Sequence, residues 1–93
     1  MSLRQSLNIN RLHHCQAQLA VLRTLKSPQY LRFKQGFDGL MQGASLYAGL
    51  RGNVNDDTQN TIDALYLYKV NYLCARITQS VMNGLVVQGD AAK

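Results

Sequence analysis

Glutamate is absent from this 93-residue chain, proline occurs once, at Pro28, and cysteine twice, at Cys15 and Cys74. Without glutamate, paired-carboxylate chemistry falls to five aspartates. Asp56 and Asp57 sit where helix caps sit, while Asp38 and Asp63 are isolated, so capping is the expected role of the acids. No run of about 18 apolar residues exists, which excludes a transmembrane helix, and the opening MSLRQSLNINRLHHC lacks the apolar stretch of a secretory signal. The two cysteines, far apart and among apolar neighbours, are expected to be small buried thiols in a reducing compartment, with one disulfide between helices as the alternative. The expected location is cytoplasmic, or within a particle.

Nucleophile, metal and phosphate chemistry find no anchor either. His13 and His14 precede Cys15, but adjacent helical residues point about 100° apart and share no face. His14 falls toward the apolar stripe and His13 away from it, and the closeness in sequence of Cys15 and His14 gives a poor nucleophile–base geometry. The glycines at 36, 39 and 43 fall inside a helical pattern rather than after a strand, so they do not make a phosphate-cradling loop. The expectation is a protein with no catalytic residue, no cofactor and no metal ion.

What remains is helix. Leu12, Cys15, Leu19 and Leu22 recur at three- and four-residue spacing and predict a first helix over about residues 8–26, with Asn8 or Asn10 as its cap. Ser27-Pro28 predicts a tight reversal, serine capping and proline opening a second helix over 28–50. Tyr30, Phe33, Phe37, Leu40, Ala44 and Tyr47 form its 3-4-3-4-3 stripe, and Gly49 to Asn53 its stop. A third helix is expected over 56–83, capped by Asn55, Asp56 or Asp57 and ended by Gly84. Its inner face carries Ile62, Tyr66, Val70, Leu73, Ile77 and Val81; residues 84–93 then form an extended tail. The fold class is all-α, one domain over residues 1–93, an antiparallel three-helix bundle of up-down-up connection.

Two surfaces are left over. Gly36, Gly39 and Gly43 cluster with Leu46 and Leu50 on the side of the second helix away from its aromatic stripe. Leu65, Tyr68, Tyr72 and Met82 give the third helix a second apolar face. Small residues four apart permit close approach by another helix, and an exposed patch of this kind is a liability on a lone monomer. These nine residues are the expected protein interface, for a homo-oligomer or for a structural or accessory subunit of a larger assembly. The other surface is charge. Arg4, Arg11, Arg23, Lys26, Arg32 and Lys34 carry +6 in residues 1–37, whereas residues 38–93 sum to −1. Contact with nucleic-acid phosphates or with an acidic partner is the alternative function, although these cations form no single stripe.

Ser27-Pro28-Gln29-Tyr30, opening a second amphipathic helix, resembles the helical hairpins that chaperone type III secretion needle subunits; this chain continues well past such a hairpin. Its size, composition and surplus apolar surface equally suit a small structural or accessory protein of a bacteriophage.

Overall fold

The structure, a computed structural model, describes residues 9–91. Three helices pack mutually: α1 (Ile9–Thr24), α2 (Tyr30–Leu50) and α3 (Asp56–Ala91), with a 3-10 turn at Arg51–Asn53 after α2. This is the expected all-α three-helix bundle. At about 1.5 Å per residue the 36 residues of α3 account for the long axis of the molecule, whose extents are 57 × 18 × 17 Å.

The α1–α2 reversal is tighter than serine capping alone would make it. Lys26 adopts φ 55°, the left-handed position that usually holds glycine, and its N–H donates to Arg23 O at 3.0 Å. The next N–H, of Ser27, reaches back to Leu22 O at 3.0 Å. This pair of bonds is a Schellman closure, and it satisfies two carbonyls that the end of α1 would otherwise leave open. Ser27 holds the turn rather than capping α2 as expected: its Oγ accepts from Gln29 N–H at 3.2 Å and its carbonyl from Tyr30 N–H at 3.2 Å, while the N-cap is Gln29, without a side-chain cap bond. Residues 28 and 29 stay in the turn, so α2 begins two residues after the expected start. Of the caps expected for α1, Asn8 lies outside the described residues and Asn10 is already inside the helix.

The α2–α3 corner closes without a left-handed glycine: no described glycine has positive φ. The chain instead tightens into the 3-10 turn, extends at Val54 (φ −115°, ψ 158°) and is captured by Asn55. The Asn55 Oδ1 accepts from Thr58 N–H at 2.8 Å, so Asn55 is the cap, and Asp56 and Asp57 occupy the first turn near its partial positive charge.

The extended tail expected over 84–93 is corrected over its described part. Helix α3 runs through Gly84 to Ala91, while residues 92 and 93 lie outside the described ones. Gly84 serves packing rather than a stop: a Cβ there would lie 3.0 Å from Leu25 Cδ1, so the missing side chain leaves room for the end of α1. Once a helix is nucleated, adding Leu85-Val86-Val87 costs only a few tenths of a kcal/mol per residue in propensity.

The core follows the expected stripes. Leu19 and Leu22 from α1, Phe33, Phe37 and Ala44 from α2, and Val70, Ile77 and Val81 from α3 are buried. Tyr30, Leu40, Met41, Tyr47, Tyr66 and Leu73 pack around them. Cys15 and Cys74 join this core as a disulfide with Cα atoms 5.5 Å apart, tying α1 to α3. The expectation of two free thiols is therefore overturned. Cys15 and Cys74 belong to core stripes that face each other across α1 and α3, a pairing the stripes themselves allowed. Polar bonds line the same seam: Thr78 Oγ1 donates to Gln18 Oε1, and Ser80 Oγ to Gln29 Oε1 at 3.1 Å.

A cross-link spanning 59 residues restricts the unfolded chain, a contribution of roughly 4 kcal/mol in the chain-entropy account. Thermal melts with and without dithiothreitol should show a large drop in midpoint on reduction, and the Cys15→Ala/Cys74→Ala variant should melt near the reduced protein. Equal midpoints would show that the bond adds nothing to the packing around it.

Candidate protein interface

The α2–α3 pair is fixed at its closed end by a polar clasp. Arg51 meets Asp63 through both carboxylate oxygens, Nε at 3.0 and 3.2 Å and Nη2 at 2.7 Å. The Tyr47 hydroxyl lies 3.0 Å from Asp63 Oδ1 and 3.1 Å from Gln59 O, a shared donation. Gln59 Nε2 donates to the carbonyls of Arg51 and Val54 at 2.8 and 3.2 Å, closing the corner. These hydrogen bonds, from Arg51 first, hold the Asp63 carboxyl below its ordinary 3.8, against the opposing effect of burial. Burial and the bond to Asp63 push the Tyr47 phenol up. One turn on, Tyr66 stacks on Tyr47 at 5.8 Å between ring centroids and 20° between planes.

This geometry divides the nine expected interface residues. Gly43 faces α3: a Cβ there would stand 2.7 Å from the Tyr66 hydroxyl. Gly36 faces Leu73 of α3, at 3.8 Å. The close approach is made within the chain at Gly43, whereas Gly36 is exposed and meets Leu73 only at ordinary van der Waals distance. Gly39 has nothing within 4 Å. Leu46 and Leu50 leave α2 on the solvent side of the line that Gly36 and Gly43 mark, and both are exposed.

Leu65, Tyr68, Tyr72 and Met82 are all exposed on α3, as the second-face reading expected. Continuation of the helix adds Val86, so five large apolar side chains, 42–65 % exposed, lie along one side. Ala75 and Gln79 fill the intervening places, giving a 3-4-3-4-3-4 spacing from Leu65 to Val86. That is the heptad spacing of a helix that packs on another helix. Tyr68 and Tyr72 stack at 6.0 Å, and the Arg76 guanidinium lies 5.8 Å from the Tyr72 ring centroid and 5.9 Å from that of Phe33. Sequence reasoning missed Val86 because it ended the helix at Gly84; the continued 3-4 spacing was its available signal.

The basic residues gather less. Arg4 lies outside the described residues. Arg11 and Arg23 are twelve positions apart on α1, about 120° around the axis, and Arg32 and Lys34 leave α2 about 200° apart. Lys34 pairs with Asp38, which raises its pKa, and Lys26 belongs to the reversal. His13 and His14 are exposed, Gln18 Nε2 lying 3.3 Å from His14 Nε2. Among the described residues, no three of histidine, cysteine, aspartate or glutamate gather as a metal site, and no helix is long and apolar enough to cross a membrane.

Gly39→Ala should raise stability by up to about 1 kcal/mol in urea denaturation, since the new methyl meets open space and removes a helix penalty. Gly43→Ala should lower it, because Tyr66 is held by its stack on Tyr47 and has to shift; a gain like that of Gly39→Ala would remove the close approach. The clasp also sets a pH dependence. Because the folded pKa of Asp63 lies below its unfolded value, its contribution is complete above that value and is lost as pH falls through the lowered one. Thermal midpoints should fall below about pH 5 more steeply for the native chain than for Asp63→Asn; parallel slopes would disprove the linkage.

No curated protein and no solved structure matches the chain. The YuaE family model matches residues 1–93, and the chain belongs to that family.

Proposed function

We propose that this chain is a non-catalytic association module, which joins with further copies of itself, alone or as a small subunit of a larger assembly, through the outer face of α3. The observation that carries this reading is the exposed apolar row Leu65, Tyr68, Tyr72, Met82 and Val86 at heptad spacing. A soluble protein that keeps such a row in water risks nonspecific aggregation, and tyrosine and methionine are favoured where interfaces form. The titratable side chains with shifted pKa values support a structural use of the chain's polar groups. Tyr47, Arg51 and Asp63 bind one another across a helix corner, and Lys34 binds Asp38 one turn away. The buried cystine favours an oxidising setting over the reducing cytoplasm.

Sedimentation of the native chain at high micromolar concentration should give a mass above that of one 10.4 kDa protomer. Tyr68→Asp/Tyr72→Asp should return it to the single-chain mass with its helical circular dichroism kept. A native chain that sediments as one protomer throughout would refute self-association, and unchanged association of the double variant would move the interface elsewhere.

A further inference from the structure

Resting on the self-association proposed above, we infer that the occupant of the α3 face is the α3 of a second copy, packed antiparallel about a two-fold axis that passes beside residue 77. The spacing argues first for a helix, because a 3-4 row accepts knobs from a row of the same period. Helix α3 presents such a row itself, over 22 of its own residues.

The orientation follows from matching the row against its own reverse. With the axis beside residue 77, Tyr72 of each copy faces Met82 of the other, Tyr68 faces Val86, and Ala75 faces Gln79. Exposed apolar groups then cover exposed apolar groups, and a small side chain meets the one polar place in the row. Tyrosines near the middle of α3 also cover valines near its end, where the α1–α2 turn lies alongside residues 80–87. In a parallel pair each tyrosine would meet its own copy, and Asp56 and Asp57 of both chains would crowd one end. Antiparallel packing separates those acids and opposes the two helix dipoles.

The area suffices. Two tyrosines, a methionine and a valine, each half or more exposed, offer roughly 500 Å² per copy, so a symmetric pair buries on the order of 1,000 Å² before its rims and Leu65, which lies beyond the matched stretch, are counted, near the lower bound for a stable dimer. The rim of Lys69, Arg76 and Asn83 adds to it. On this rim Lys69 of one copy comes near Asn83 of the other, and the two Arg76 guanidinium groups, each held over the Tyr72 and Phe33 rings of its own chain, flank the axis.

The test uses two single-cysteine additions, Tyr68→Cys and Val86→Cys, in the full chain with a short bismaleimide as cross-linker. The native cystine is shielded from the reagent, Cys15 being 1 % exposed and Cys74 6 %. Cross-linked dimer should form when the two variants are mixed, in at most half of the dimers, and hardly at all with either alone, because like positions lie about 27 Å apart in this register. Efficient cross-linking of each variant with itself shows a parallel pair and overturns the inference while leaving self-association standing. A native chain that is a single protomer overturns both. Should either variant dissociate the dimer, the rim pair Lys69→Cys and Asn83→Cys repeats the reading without touching the apolar row. Dimers of that pair that fail to cross-link on mixing overturn the register.

Discussion

One long helix serves as the wall for two shorter ones, and two helices cover only one side of it. In this bundle α3 has 36 residues against 16 in α1 and 21 in α2. Both short helices lie on the side that carries Val70, Cys74, Ile77 and Val81. The opposite side of α3 therefore faces outward along its length, whatever residues occupy it. Polar residues there would have finished a self-sufficient domain. Leu65, Tyr68, Tyr72, Met82 and Val86 stand there instead, and the functional reading follows from that choice.

The short helices are held to the wall by different means at different places. Near the α2–α3 corner the contact is polar and directional: the forked Arg51–Asp63 pair, the Tyr47 hydroxyl and the Gln59 amide fix where α2 ends against α3. An ion pair so largely shielded from water sets its Coulombic gain against a desolvation cost, but its two-point geometry and its tyrosine partner specify a register. The bare backbone at Gly43 lets Tyr66 close the same contact. For α1, which has no such corner with α3, the link is covalent, through Cys15 and Cys74. A domain this small has a limited core, and a cross-link supplies what further burial cannot.

Much of this was legible. The stripes over Leu12–Leu22, Tyr30–Tyr47 and Ile62–Val81 named the three helices and their inner faces, because burial on one side of a helix imposes its period on the sequence. The cap of α3 was narrowed to Asn55, Asp56 or Asp57, of which Asn55 makes the bond. The outer residues of α3 were recognisable as surplus, since a second stripe on one helix requires a second neighbour. The misreadings share a cause in tertiary contact. Gly84 looks like a stop until Leu25 is seen to need its space, and Gly43 looks like part of an external groove until Tyr66 is found against it. Lys26 carries no signal for its left-handed backbone, a position set by the closure between Leu22 and Ser27. The cystine needed the relative placement of α1 and α3, which periodicity alone does not give.

The charge distribution bears on whether two such chains can meet. The positive excess belongs to the first 37 residues, and its described part to α1, the α1–α2 turn and the start of α2, which lie on the inner side of α3. The bundle is 17–18 Å across. At physiological ionic strength charges are screened over about 8 Å, so most of the excess lies beyond effective range of a second chain on the outer side. Lys69 and Arg76 are the cations that border the apolar row, and Arg76 is already drawn over the rings of Tyr72 and Phe33. The apolar row itself carries no charged side chain, and its rim is positive. A symmetric pair sets four cations and no acid along the rim, so contact depends on the fit of the apolar row outweighing their repulsion, and the heptad row is the part of the surface on which selectivity can act.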